Sequence, residues 1–283
     1  MKTRFLLGAL LLFVCSLAGC SDDDNNGSDP VTPFSLEKTY YEVRLERSVT
    51  DIPITNGSGD ISLYVADETI VEADKVQNEG GNVYVSLQGK KKGTTTLTLT
   101  DNVTGDKETV EVKVTDCYIA YGISESNHPA LASNIVLYLV NNEARDCYFF
   151  TMDYIQHRLN NTPIAKGTYE FFATIDSGTG PAPHLYGIPH LRLAYPSDAD
   201  GNFADEVSVH DFQIELYGEG ESSPNCLEII KAYLGVDWEE LISNATTKSI
   251  PPRDYSMVLT VPDTEYEIIG VFGTVDIPEG VLE

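Results

Sequence analysis

Positive charge is scarce in this chain: 18 lysines and arginines stand against 44 aspartates and glutamates in 283 residues, a net charge of −26. Such a chain repels a phosphate backbone, which excludes nucleic-acid binding of the counterion-release kind, and it repels anionic lipid as well. Long apolar runs are also missing. The longest, Phe5–Val14, falls well short of the roughly 20 residues that a transmembrane helix needs. Catalytic signatures are absent too. There is no His-Glu-x-x-His, no phosphate loop and no dinucleotide fingerprint. The nearest approach to a nucleophile elbow, Gly122-Ile123-Ser124-Glu125-Ser126, lacks the second glycine. No enzymatic activity is therefore expected. Tryptophan occurs once and tyrosine 16 times, so any aromatic platform has to be built mainly from tyrosine.

What is present begins at the amino end. Lys2 and Arg4 precede the apolar run, and Leu17-Ala18-Gly19-Cys20 comes after it. A short positive region, an apolar core and small residues are the parts of a signal peptide. The arrangement resembles the lipobox of bacterial lipoproteins. The resemblance implies that residues 1–19 are removed and that the Cys20 thiol takes a diacylglyceryl group. Several acyl chains, at about 0.8 kcal/mol per buried methylene, hold a protein that one chain cannot. Ser21-Asp22-Asp23-Asp24 resembles the acidic export signal of Bacteroidota surface lipoproteins. It implies a lipid-anchored outer-membrane protein facing outward, with the periplasmic face as the alternative. Residues 20–32 are rich in Asp, Asn, Gly, Ser and Pro, a composition that forms a tether and cannot bury a core.

From residue 33 to 115 the chain reads as short strands separated by turns. Tyr41–Leu45, Ile61–Val65, Val83–Leu87, Thr96–Thr100 and Val110–Val114 all alternate apolar with polar. Asn56-Gly57-Ser58-Gly59, Gly80-Gly81 and Thr104-Gly105-Asp106 supply turns. Such spacing suggests a sandwich. The stretches Ala66–Ala73, Gly81–Val85 and Lys92–Leu99 resemble the bacterial Ig-like domain of group 2, whose members act mostly as spacers or adhesion modules. Lys90-Lys91-Lys92 reads as a solvated hairpin tip.

Residues 116–283 continue in the same class and carry most of the charge, 7 basic against 26 acidic residues, where 33–115 has 9 against 14. About eight apolar alternating runs are enough for a second sandwich or a barrel. One helical insertion is expected near 223–244. Ser222-Ser223-Pro224 offers a start, Leu227, Ile230 and Leu234 keep helical spacing, and Gly235 breaks it. The order of a Gly167-Thr168-Tyr169 strand, a hairpin near 198–205 and a closing Tyr266-Glu267-Ile268 strand resembles little-characterised β domains of Bacteroidota surface lipoproteins. That resemblance carries over no catalytic residues.

Candidate sites are few. Trp238 with Tyr233, Tyr186 and Tyr195 could stack on sugar rings, or Trp238 could simply pin the helix to the sheet. Asp198, Asp200 and Asn202 place oxygens at alternate positions, as a calcium loop does, although Asp-Gly and Gly-Asn pairs mark the same stretch as a turn. His184 and His190 flank a Pro/Gly-rich loop without metal-ligand spacing. Three cysteines remain after Cys15 and Cys20. They form either one disulfide, Cys117–Cys147, with a lone thiol, or three buried thiols. The expected protein is thus all-β, with no cofactor unless calcium binds. It is held to the membrane through lipid alone and binds an extracellular glycan or protein. The alternative role is a fimbrial or surface-assembly subunit.

Overall fold

The computed structural model describes residues 31–46, 49–153, 158–177, 185–215, 225–241, 256–273 and 275–282. Cys20 and the acidic stretch after it lie outside these residues, as do His157, His184 and the helix start at 222–224.

Seven strands make up the first half: β1 (Tyr40–Arg44), β2 (Val49–Pro53), β3 (Ile61–Val65), β4 (Val71–Gln77), β5 (Val83–Gly89), β6 (Gly93–Asp101) and β7 (Lys107–Thr115). They form a sandwich of two sheets ordered β1-β7-β6-β3 and β2-β5-β4. β1 runs parallel to β7, whereas every other pair in the sandwich is antiparallel. Alternation explains the packing. In β6 Leu97 and Leu99 point inward and are fully buried, and Thr94 and Thr96 face solvent. Asp101 closes that strand. Its buried carboxylate accepts from the Ser58 amide and hydroxyl, both at 2.7 Å, and from the amides of Val103 and Thr104. β2 and β4 have no clear sequence signal because they are the outer strands of the smaller sheet. β4 buries Val71 and exposes most of its remaining side chains, so its pattern is charged instead of alternating.

The second half is a barrel, not a second sandwich. Its strands are β8 (Tyr118–Ser126), β9 (Ile135–Val140), β10 (Asp146–Asp153), β11 (Arg158–Leu159), β12 (Ala165–Ser177), β13 (Leu185–Ser197), β14 (Phe203–Ile214), β15 (Ser256–Thr260) and β16 (Glu267–Gly273). Apart from the short β11, which runs antiparallel to the end of β10, each pairs with the next in sequence. β16 returns to β8, and the eight-stranded meander closes. The strands are unequal. β12 and β13 pair over ten residues, but β14 meets β15 only at Gln213–Thr260 and Ile214–Leu259.

The barrel is filled from within. Helix α1 (Asn225–Leu234) turns Cys226, Leu227, Ile230 and Leu234 toward Tyr121, Phe149, Leu193 and Phe212 in one continuous core. A short α2 (Trp238–Leu241) comes next. Gly235, at φ 68°, ends α1 in a left-handed turn that glycine adopts without cost. The outer face of β8–β10 is apolar as well, with Tyr118, Tyr138, Tyr148 and Phe150. Ile277 and Leu282 of the carboxyl-terminal segment cover it. That segment also reaches the sandwich. Asp276 pairs with Arg44, Glu279 pairs with Lys38, and the Leu282 carbonyl accepts from Lys113 Nζ at 2.7 Å. Arg44 in turn lies 4.1 Å over the Tyr118 ring.

Closure depends on one glycine. A β-carbon on Gly270 would come within 2.6 Å of both the Gly122 carbonyl and the Tyr121 ring. Tyr121 is fully buried and donates its hydroxyl to the Met257 carbonyl at 2.7 Å, so the ring has nowhere to retreat. Gly270→Ala is expected to destabilise the barrel by about 1–3 kcal/mol, the usual cost of overpacking, read as a lower midpoint of thermal unfolding.

Candidate functional site

The tryptophan platform is not formed. Trp238 is 7% exposed, its Nε1–H donates to the Leu227 carbonyl at 2.9 Å, and its ring meets Phe171 edge-on at 5.4 Å. It pins the helix inside the barrel, because the apolar side of the insertion has no other surface to bury against. Tyr195 is fully buried and donates to the Gly201 carbonyl. Tyr233 packs against the same core, and the side chain of Tyr186 lies outside the described residues. Trp238, Tyr195 and Tyr233 are thus parts of the barrel interior and offer no common stacking surface.

The Asp198–Asn202 stretch is a turn. The Asp198 carboxylate accepts from the amides of Asp200 and Asn202 and from Asn202 Nδ2, which occupies the oxygens a cation would need. The asparagine presents a donor to the aspartate, the opposite of joint ligation. No group of three metal-ligating His, Cys, Asp or Glu side chains occurs among the described residues.

Cys117, Cys147 and Cys226 are buried thiols. The expected Cys117–Cys147 bridge is not made, and the reason is topological. Cys147 pairs across to Leu139 of β9, whereas Cys117 sits beside Asn141 on the other flank of that strand. With a whole strand between them, the two exceed the roughly 7 Å Cα separation that a disulfide tolerates. Burial pushes the Cys147 thiol up to about 12.

Two histidines sit close to hydroxyls. Ser197 Oγ lies 2.8 Å from His210 Nε2, the spacing of a nucleophile and its base. The Ser197 proton, however, is already donated to the Tyr195 carbonyl at 2.9 Å, so His210 must act as donor and not as base. Ser197 is also 1% exposed, out of reach of substrate. His190, on the outer face, stacks on Phe172 at 4.8 Å, shares a hydrogen bond with Thr174 and leaves Nδ1 buried without a partner.

One open concavity among the described residues lies where the barrel mouth meets the turn after α1, a cleft of about 300 Å³. Arg145 and Tyr169 form its floor. Arg145, at φ 52°, donates from Nη1 to the Asn141 side chain at 2.7 Å and to the last helical carbonyl, Leu234, at 2.9 Å. It thereby caps the negative end of the helix dipole and fixes the helix to the β9–β10 turn. Tyr169 donates to the Val140 carbonyl, and burial raises its hydroxyl to about 12. Phe171, Val236 and Leu241 give apolar walls, and Glu170 and Asp237 bring carboxylates. Sequence reasoning missed this site. Only Gly235 signalled the turn, and nothing local in Arg145 or Phe171 indicates that the barrel brings them together.

No family model and no curated protein matches the chain. Solved structures of an S-layer protein do. The crystal structure of rSbsC(31-844) superposes at TM-score 0.27 with 11% identity over 67% of this chain, and SbsC domains 5-6 at 0.26 with 14% identity over 64% of this chain and 97% of that one. The chain spans about a quarter, 24%, of the first of these. At that level the likeness carries no weight for this chain's role.

At the opposite end of the barrel, His128 is 6% exposed between Phe212, Tyr266 and Gly201, and its Nδ1 accepts from the amides of Ala130 and Leu131. Burial, helped by His210, depresses it from 6.5 to about 4. A depressed histidine stabilises the fold above its unfolded value. That contribution is lost as pH falls from about 6.5 to 4, because the unfolded chain takes up the proton first. At about 1.4 kcal/mol per unit this is up to about 3 kcal/mol. The thermal midpoint of the wild type is expected to drop across that window, and His128→Gln is expected to flatten the drop.

Proposed function

We propose that the chain is a lipid-anchored, non-enzymatic binding module of the cell surface, resembling Bacteroidota surface lipoproteins. In this reading the sandwich is an Ig-like spacer, and the barrel engages an extracellular polymer, a glycan or a protein, at its mouth. One observation carries the binding part: α1 fills the lumen, so concave surface remains at the mouth, where a guanidinium, two carboxylates and an aromatic wall converge. A few polar groups on an apolar wall is the make-up of a recognition site. The locked hydrogen bonds of Ser197 support a role without nucleophilic chemistry.

A second reading, a surface-assembly subunit, gains from the open edge of β14. There Val207 and Val209 are 66% and 59% exposed and no strand pairs with them outside β13 among the described residues. The same edge is blunted. The register with β13 jumps from Val207 to Phe203 and throws out Asp205 and Glu206, the usual guards against edge-to-edge pairing. It therefore ranks second.

Two experiments test the proposal. Cys20→Ala is expected to abolish lipid labelling and to move the protein from the membrane to the soluble fraction. Lipid labelling that survives the change defeats the anchor. The chain without its first 32 residues is expected to bind at least one member of a panel of glycans and matrix proteins, and Asp237→Asn should weaken that binding about tenfold. Silence across the whole panel removes the binding reading.

A further inference from the structure

We infer that the ligand of the mouth cleft is an extended polypeptide with alternating apolar and basic residues, taken up as an added strand on the open edge of β12. The inference rests on the mouth cleft being a ligand site and names its partner by class.

β12 is longer than its neighbour on one side. β10 pairs with it only from Ala165 to Thr168, whereas β13 accompanies it without a break to Ser177. Beyond Thr168 the single backbone bond on the β10 side among the described residues is from the Tyr169 amide to the Arg145 carbonyl, 2.8 Å. In an antiparallel ladder the backbone groups of alternate residues face the same neighbour. Tyr169 thus sets the parity: the N–H and C=O groups of Phe171, Ala173 and Ile175 point away from β13. No strand pairs with them there among the described residues. The opposite edge of the hairpin gives an independent check. Glu215 donates to the Val258 carbonyl, placing the odd residues of β14 toward β15, which is the phase that unbroken alternation across β12 and β13 requires.

Side chains supply the specificity. Phe171, Ala173 and Ile175 continue the barrel's inward row past its rim, and Ile175 is 67% exposed there. A strand laid beside them would bury every second residue against that row and into the cleft wall of Val236 and Leu241. Its other residues would pass Glu170, a 61% exposed carboxylate that meets Arg192 only at 3.4 Å while Arg192 is held by Asp211 at 2.7 and 2.9 Å. They would also face the acidic barrel half, which holds 7 basic and 26 acidic residues. The one cation of the cleft floor, Arg145, is already committed to Asn141 and Leu234. Attraction therefore favours lysine or arginine at those positions.

The test uses the full lipidated chain in detergent and the labelled peptide acetyl-Lys-Val-Lys-Val-Lys-Val-Lys-amide. The peptide is expected to bind and to slow hydrogen exchange at the amides of Phe171, Ala173 and Ile175. A version N-methylated at its central valine should bind at least tenfold more weakly. Ala173→Pro removes an amide that serves only the open side and should cost about tenfold in affinity. Ile175→Glu serves the same purpose if the proline variant does not fold. Binding without protection of those three amides, or equal binding of the N-methylated peptide, overturns the inference, as does equal binding of a glutamate-for-lysine peptide. Protection that rises with protein concentration and no peptide would assign the edge to a second copy and likewise overturn it. A glycan that protects the cleft while no peptide binds defeats the strand but leaves the binding module standing. If no probe binds, both fall.

Discussion

A barrel of eight strands has an interior that must be filled, and here the filling comes from a single helix. The chain supplies most lumen-facing positions with Leu, Ile, Phe and Tyr, but these alone leave the middle to α1. Cys226, Leu227, Ile230, Leu234 and Trp238 are at most 7% exposed, and at about 1.5–3 kcal/mol for each buried large apolar side chain they are a principal source of the barrel's stability. Everything else at the mouth is a consequence of this insertion. The helix needs a terminator, so Gly235 turns left-handed. Its carbonyl end needs a donor, and Arg145 provides it from the opposite wall. The cleft is the space left between those two adjustments.

The plug also decides what kind of site the barrel can offer. An open lumen would enclose a small apolar ligand. A filled one leaves its accessible surface at the rim, where backbone edges and charged side chains face outward. Strand lengths matter for the same reason. Had β10 been as long as β12, the rim would be sealed by hydrogen bonds on both sides.

How much of this could be read from the residues varies with physics. The all-β class, the helix and its break at Gly235 were legible, because alternation, helical spacing and a glycine stop are local signals. Barrel against sandwich could not be decided, since closure is a pairing of β16 with β8, more than a hundred residues apart, and no local pattern encodes it. β2 and β4 escaped because edge strands with one exposed face lose their apolar rhythm. The tryptophan misled for an instructive reason. An aromatic on a short amphipathic helix looks the same in sequence whether its partner is a ligand or the inside of its own barrel. The Cys117–Cys147 pairing failed on a similar point, because both residues flank strands of one sheet but on opposite sides of β9. The mouth cleft left no trace, since Arg145, Phe171 and Asp237 meet only after closure.

The parallel pairing of β1 with β7 has a mechanical meaning. β1 stands at the amino end of the sandwich, and β7 leads through two residues into β8 of the barrel. In a chain held at its amino end and tugged through its barrel, these two strands are drawn in opposite directions along their length. All five residue pairs from Tyr40–Glu111 to Arg44–Thr115 then share the load at once, instead of parting one after another like a zip. The bonds from Asp276, Glu279 and Leu282 lie across the same junction and add a second path for the force. The sandwich is thus arranged to meet such a pull in shear, the geometry in which a strand pair resists longest.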